Sequence, residues 1–364
     1  MEFNDVRLQF NLLREEIEAA LASTLASGRY ILGPAVQRFE ETFASYCETA
    51  HGIGVANGTD AIGIALQALG VRARDEVLVP AISAPATAMA VAEIGAMPVF
   101  VDVSTSDFMM DPLVAAERMN RRVRAVIAVH LYGMPARLKE FAKIGAPILE
   151  DAAQAHGSRA SWGRCGSFGA AAAFSFYPTK NLGTYGDGGM IVTSSVALAD
   201  RCRLLRNYGQ RESYASEVIG RNSRLDEIHA AILQVKLKRL DSWNRRRGQI
   251  AAAYRSAFAD LPLTMQAETG TSNYHLFVVM TSHRDRLRDH LRSSDIPSLV
   301  HYPIPLPRQK AFLDFSPERC PNADMICSRV LSMPIHGSMT DSDVERVIEA
   351  VQHFFRRQKS CSGG

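Results

Sequence analysis

One lysine in this sequence stands where an amine could do covalent work. Lys180 lies in FGAAAAFSFYPTKNLGTYGDGG, residues 168–189, between a short apolar run at 170–176 and a turn at Asn181-Leu182-Gly183. The run reads as a buried strand, and Pro178 stops it, which leaves the lysine on a loop at the strand's carboxyl side. A second segment, ILEDAAQAHG at 148–157, follows the turn Gly145-Ala146-Pro147, so 147–149 reads as a strand with Asp151 just past its end. Ligands of open α/β sheets bind outside the carboxyl ends of strands, so Asp151 and Lys180 should face one crevice. There an amine can hold an aldehyde as a Schiff base, while a carboxylate keeps a pyridine nitrogen protonated. That pair suits a pyridoxal phosphate site. The same two residues could also form a plain ion pair, and their spacing does not choose between the two.

A third stretch could hold an anion. Asn57-Gly58-Thr59-Asp60 leads from a short strand at 53–56 into an apolar-periodic stretch at 61–69. Gly58 and Thr59 at a helix start offer backbone N–H groups, a hydroxyl and the positive end of the helix dipole. An ordinary N-cap uses the same residues. Gly52, Gly54 and Gly58 spell G-x-G-x-x-x-G, which misses the dinucleotide fingerprint by one residue.

The frame for these residues is an alternation of strands and helices. Strands are expected at 77–79, 98–101, 123–130 and 190–193, with helices at 86–94 and 198–205, and this pattern implies a mainly parallel α/β sheet covered on both faces. Helices at 15–25 and 35–46 open the chain. Ser223 ahead of Asp226-Glu227 caps a helix over 228–240. A basic helix then runs through Phe258, followed by shorter segments, so we expect a large domain over 1–242 and a smaller α+β domain over 243–358. The Ser-Cys-Ser-Gly-Gly end, 359–364, is expected to be disordered.

Bulk properties narrow the function. The 364 residues are 47% hydrophobic and 22% charged with a formal net charge of +3, which leaves no nucleic-acid footprint. No apolar stretch has the length of a signal peptide or a membrane span, so a cytoplasmic location is expected. The six cysteines form no CxxC pair and have no zinc-ligand spacing, so reduced thiols and no metal are expected.

EDAAQAHG, SFYPTKNLG and GDGGM, with NGTDAI upstream and RNSRLDEIHAAIL downstream, closely resemble the DegT/DnrJ/EryC1/StrS family of pyridoxal-phosphate sugar aminotransferases. The resemblance runs from about Gly28 to about Phe312, with the motifs in the family's order. It implies the fold-type I aminotransferase architecture, with Lys180 as the Schiff-base lysine and Asp151 on the ring nitrogen. It further implies Gln154 on the ring hydroxyl and Gly58, Thr59 and Ser175 on the phosphate. Asn222 would reach the phosphate of the neighbouring subunit, making a homodimer with shared active sites. Tyr30, Tyr177, His301 and Tyr302 would contact substrate. The implied partners are L-glutamate and a nucleotide-linked keto sugar. They would be used in ping-pong order, with pyridoxamine phosphate as the intermediate form of the cofactor.

Lys180-Asn181-Leu182-Gly183 with Gly186-Asp187-Gly188-Gly189 most resembles the members that aminate C3 of dTDP-linked 3-keto-6-deoxyhexoses. Members acting at C4 more often show G-E-G-G without N-L-G. A sugar 3-dehydratase of the family carries histidine in place of the lysine, so Lys180 argues against that activity. Uridine-linked 3-keto sugar acids and a cofactor-binding regulator without turnover stay open as alternatives. Two positions depart from the family pattern: Ala84 stands where an aromatic ring usually stacks on the cofactor, and Pro307 stands where a histidine is usual. His156 and His301 titrate near neutrality when free, and structural or sugar-contact roles are expected for them.

Overall fold

The computed structural model describes residues 1–212, 214–315 and 319–361, for 359–361 the backbone only. Its centre is a seven-stranded sheet, in spatial order His51–Val55, Gly189–Thr193, Ala171–Ser175, Ile148–Asp151, Val123–Val129, Glu76–Pro80 and Met97–Val101. Gly189–Thr193 runs antiparallel to both its neighbours, and the other pairings are parallel. Buried on both faces, these strands are near-continuous apolar runs such as Val-Leu-Val and Val-Ile-Ala-Val. Ala171–Ser175 is built from alanines, which lets helix Gly58–Ala68 close against it.

The Ile148–Asp151 strand ends later than expected. Asp151 pairs with Val129 on one side and Ala173 on the other, and its carbonyl still accepts from His130 N. A polar side chain therefore does not end a strand whose backbone ladder is intact on both edges. The opening helix likewise begins earlier than the apolar spacing suggests, covering Val6–Ala26, because the Asp5 carboxylate caps the N–H groups of Arg7 and Leu8 at 3.0 and 3.2 Å. Leu13 and Ile17 of that helix pack on Ile232 and Val235.

Ile232 and Val235 belong to a 32-residue helix, Glu227–Phe258, that links two cores. Its first half, Ala230 to Leu240, packs with the sheet and the Pro34–Tyr46 helix; Ile250, Ala251, Tyr254 and Phe258 face a second core. That core covers a three-stranded antiparallel sheet, Thr264–Met265, Phe277–Met280 and Val330–Met333. The handover between Leu240 and Ile250 supports our proposal of a domain division near residue 243. The later segment is nonetheless knitted to the first, since Leu276, Val278, Leu306, Phe312 and Ile326 join the main-sheet core. The closing helix runs Asp341–Cys361, with Val344, Val347, Val351 and Phe355 on its buried face. The tail expected at 359–364 therefore starts no earlier than 362, and 362–364 lie outside the described residues. Among the described residues no helix is long and apolar enough to cross a membrane.

The start of the long helix also fixes the approach to the site. The Glu227 carboxylate, 1% exposed, accepts from the N–H groups of Gly33, Ala35 and Val36, each at 2.8 Å. It thereby caps the Pro34–Tyr46 helix from another element. Glu227→Ala leaves these donors without acceptors, and the expected loss is about 2–4 kcal/mol of unfolding free energy, read as a lower urea midpoint.

Candidate active site

Two strand ends and one helix start meet at the carboxyl edge of the sheet. Asp151 closes Ile148–Asp151, Ser175 closes the neighbouring Ala171–Ser175, and Gly58 opens Gly58–Ala68. Gly58 and Ser175 lie against each other: a Cβ on Gly58 would sit 2.8 Å from Ser175 Cβ, so only glycine allows the approach. Asn57 Oδ1 accepts from Asp60 N at 2.8 Å, while the N–H groups of Gly58 and Thr59 precede the first intrahelical bond. The Ser175 hydroxyl accepts from Tyr177 N at 3.3 Å and keeps its own proton free to donate. These donors, set at the positive end of a helix, make a cradle for a phosphate.

Asp151 is 5% exposed and held from two sides. Thr87 Oγ1 donates to its Oδ2 at 2.8 Å, and Ala153 N donates to Oδ1 at 3.2 Å. The single Thr87 proton is used there, so in the 2.7 Å pair with Ser83 it is Ser83 that donates. Burial pushes the Asp151 carboxyl up from the usual carboxylate range, while Thr87, Ala153 N–H and the Lys180 charge pull it back. A desolvated carboxylate of this kind attracts a cationic ring nitrogen strongly.

Lys180 sits on a tight loop. Its N–H donates to Tyr177 O at 2.9 Å, and Thr184 N returns to Phe176 O at 2.8 Å. A Cβ on Gly183 would lie 2.6 Å from the carbonyl oxygens of both Tyr177 and Pro178, so the loop closes only around glycine. Desolvation lowers the Lys180 amine to about 8, against the opposing pull of Asp151. The residue itself keeps some exposure, which leaves a way in for a ligand.

Gln154 ties the rest together. Its Oε1 accepts from Tyr132 N at 2.6 Å and its Nε2 donates to Tyr302 Oη at 2.9 Å, which leaves one N–H to offer. The Tyr132 hydroxyl donates to His301 O. Burial, helped by the Lys180 charge, lowers His301 to about 4, so it is neutral at physiological pH, with Nδ1 2.9 Å from Ser332 Oγ. Burial raises the Tyr302 hydroxyl to about 12. Behind Asp151, the fully buried Glu150 carboxylate accepts from the N–H groups of Gly166, Phe168 and Gly169 and pairs with His130 Nε2 at 2.8 Å. His130 Nδ1 accepts from Ala136 N, so the ring carries its proton on Nε2 and donates it to Glu150.

Of the residues singled out from sequence, Gly58, Ser175, Asp151, Gln154 and Lys180 thus surround one crevice. Thr59 stands at its helix start, and Tyr302 and His301 border it through Gln154 and Tyr132. Tyr30 and Tyr177 do not join this network among the described residues. They are 51% and 53% exposed, and Tyr30 Oη turns back to Leu25 O at 3.2 Å. Asn222 is exposed on a backbone bridge to Asn207. His156 is fully buried against Phe43, Phe174 and Phe176, and burial lowers it to about 3. Ala84 caps the Pro85–Glu93 helix that carries Thr87. Pro307 is buried in a turn whose Leu306 N bonds Ala81 O. Thr87, Tyr132 and Asn273 carry no sequence signal, since each reaches the site from a different element.

A carboxylate at one end, a phosphate cradle that a Cβ would fill at the other, and an amine between fit pyridoxal phosphate. Comparison with known proteins points the same way. The sequence profile of the DegT/DnrJ/EryC1/StrS aminotransferase family matches residues 11–352. A Streptomyces venezuelae protein named dTDP-3-amino-3,4,6-trideoxy-alpha-D-glucose transaminase is 45% identical, over 98% of this chain and 96% of its own. A Geobacillus stearothermophilus protein named pleiotropic regulatory protein is 40% identical, over 97% of this chain and 98% of its own. An Acidithiobacillus ferrooxidans protein, named as a UDP-N-acetyl-3-dehydro-alpha-D-glucosamine 3-aminotransferase, is 37% identical, over 96% of each. The crystal structure of S. venezuelae DesV in complex with ketimine intermediate is 44% identical and superposes with a TM-score of 0.94, covering 97% of this chain and 98% of that one. The matches run nearly end to end and share a fold whose crevice has the required chemistry, and the chain belongs to the DegT/DnrJ/EryC1/StrS aminotransferase family.

Proposed function

We propose that the protein moves an amino group from L-glutamate to C3 of a dTDP-linked 3-keto-6-deoxyhexose, with pyridoxal phosphate held at Lys180. The observation that carries this reading is the meeting of Lys180, Asp151 and the Gly58–Ser175 cradle at one sheet edge. When bound, the cofactor supplies an electron sink for a carbon that loses its proton and carries nitrogen between two substrates used in turn.

The chain's own residues do the rest. Gly58, Thr59 and Ser175 bind the phosphate through backbone N–H and hydroxyl donors. The Asp151 carboxylate, oriented by Thr87 and Ala153, holds a proton on the ring nitrogen. Gln154 turns its remaining N–H towards the ring hydroxyl. The Lys180 Nζ takes the proton from the α-carbon of the amino-acid donor and later returns one to the former carbonyl carbon of the sugar. An amine of pKa about 8 suits both directions, because it can accept or release a proton near neutrality. His301 and Tyr302, neutral and half-buried, suit hydroxyl contacts with the sugar better than proton transfer.

The choice of C3 is supported by the names of the Streptomyces and Acidithiobacillus relatives, which both place the nitrogen at carbon three. Those names divide between thymidine and uridine nucleotides. A product assay over dTDP- and UDP-linked 3-keto and 4-keto sugars, with the aminated carbon located by NMR, tests the proposal. Turnover of the dTDP-linked 3-keto sugar is expected; preference for UDP, or amination at C4, would overturn it. The name of the Geobacillus relative favours a second reading, binding without turnover. Glutamate added to the holoprotein separates the two, because catalysis bleaches the visible cofactor band and a regulator leaves it unchanged.

A homodimer with shared sites belongs to the same proposal. Asn222 is exposed and makes no side-chain hydrogen bond among the described residues, as a group reaching into another subunit would. Mixing inactive Lys180→Ala and Asn222→Ala proteins under subunit exchange should restore about a quarter to a half of wild-type activity per hybrid. No recovery would place Asn222 outside the partner's site.

A further inference from the structure

We propose that Asn181 is the positioning residue that aims the Lys180 amine into the crevice, by tying the lysine loop to two distant parts of the chain. The inference rests on Lys180 being the amine that holds the cofactor. Asn181 follows Lys180 directly and is 2% exposed. Its Nδ2 donates to Asn244 Oδ1 on the long helix at 2.9 Å and to Asn273 O at 3.0 Å. Its Oδ1 lies 3.1 Å from His275 Nδ1. The amide orientation is set by Asn273 O, which can only accept, so Nδ2 must face it and Oδ1 must receive the His275 proton.

The partners of Asn181 also hold the other wall of the site. Asn273 Nδ2 donates to Gln154 O at 3.0 Å and His156 O at 3.1 Å, and Asn244 Nδ2 donates to His156 O at 2.8 Å. Three buried or half-buried asparagines thus join the Lys180 loop, the turn after Asp151 and the long helix at one node. The same helix grips the loop twice more, through Lys236 Nζ on Gly183 O and His229 Nδ1 at 2.9 Å from Thr184 Oγ1. Residues before Lys180 are fixed in the sheet and residues after it are fixed by the node. The lysine backbone between them has no freedom to swing, and its amine is held low in the crevice near Asp151. Satisfied buried networks of this kind specify one geometry, since breaking any member leaves others unpaired.

The test uses the apoprotein, acetylated with acetic anhydride from about pH 6 to about pH 11, with the Lys180 peptide followed by mass spectrometry. In the wild type half-maximal labelling is expected near the Lys180 pKa of about 8. Asn181→Ala removes all three contacts, and Asn181→Asp turns both donations into oxygen facing oxygen. In each, the midpoint should move up by about one pH unit, towards an ordinary lysine, as the amine gains solvent. With the cofactor present, kcat should fall about 10- to 100-fold with KM for the keto sugar within about twofold. A lower melting temperature with an unmoved labelling midpoint would make Asn181 a stabilising residue only and overturn the proposal. Should neither variant fold, Asn244→Ala cuts one bond of the node from the far side, and the same upward shift decides. Borohydride treatment of the wild-type holoprotein is a separate control. If it fails to mark Lys180, the cofactor assignment falls, while the apoprotein midpoints still report on positioning.

Discussion

Lys180→Ala is expected to abolish amination, lowering kcat by about 10⁴-fold or more, because one side chain supplies both the covalent hold and the proton carrier. Nothing beside it can take over. His156 and His301 are lowered to about 3 and about 4, and His275 is pushed well below its ordinary value, in each case chiefly by burial. Such histidines stay neutral at pH 7 but are weak bases. The other buried amine, Lys236, is fully enclosed and donates to Gly183 O under the loop. Borohydride should fix the cofactor to the Lys180 peptide in the wild type. In the variant the cofactor should wash out on gel filtration. A small primary amine added to the variant should restore a few per cent of the rate, since the missing function is an amine of suitable pKa. Turnover within about tenfold of wild type would remove Lys180 from its role.

The site was legible in sequence wherever one short segment carried its own physical signal. An apolar strand, a proline stop and an N-L-G turn locate Lys180, and a Gly-Thr pair at a helix start locates the cradle. The hidden part is what reaches the site from elsewhere in the chain. Thr87 meets Asp151 across 64 residues and Asn273 meets Asn181 across 92, and no local pattern marks either. Boundaries failed for a related reason. The opening helix starts at Val6 because of the Asp5 cap, and the Asp151 strand runs on because of neighbours on both sides. The fold class followed from strand-helix alternation, but the interleaving of Leu276 and Val278 with the main core did not, since a strand with two apolar faces looks the same in either domain. Tyr30 and Tyr177 were attached by resemblance alone, and their half-exposed rings owe any role to whatever covers them.

Asp151→Asn is expected to cost about 10³-fold in kcat with little change in KM, and the reason can be separated from folding. The amide keeps the shape of the carboxyl and can still accept from Thr87 Oγ1, but it carries no charge to hold a proton on the ring nitrogen. Stability should not suffer. Burial raises the folded-state pKa of Asp151, so whatever stability the carboxyl contributes is present in acid and is lost as pH rises through that value. At pH 7 the ionised group opposes folding of the apoprotein, and its removal should leave the melting temperature equal or higher. Lys180 provides a second readout. The Asp151 charge raises the lysine pKa against desolvation, so its removal should move the apoprotein labelling midpoint below about 8. That shift is opposite in sign to the one expected for Asn181→Ala. The two substitutions therefore distinguish a residue that acts on Lys180 through charge from one that acts through position. A near-normal rate in Asp151→Asn, or a midpoint that rises, would refute the role given to this carboxylate.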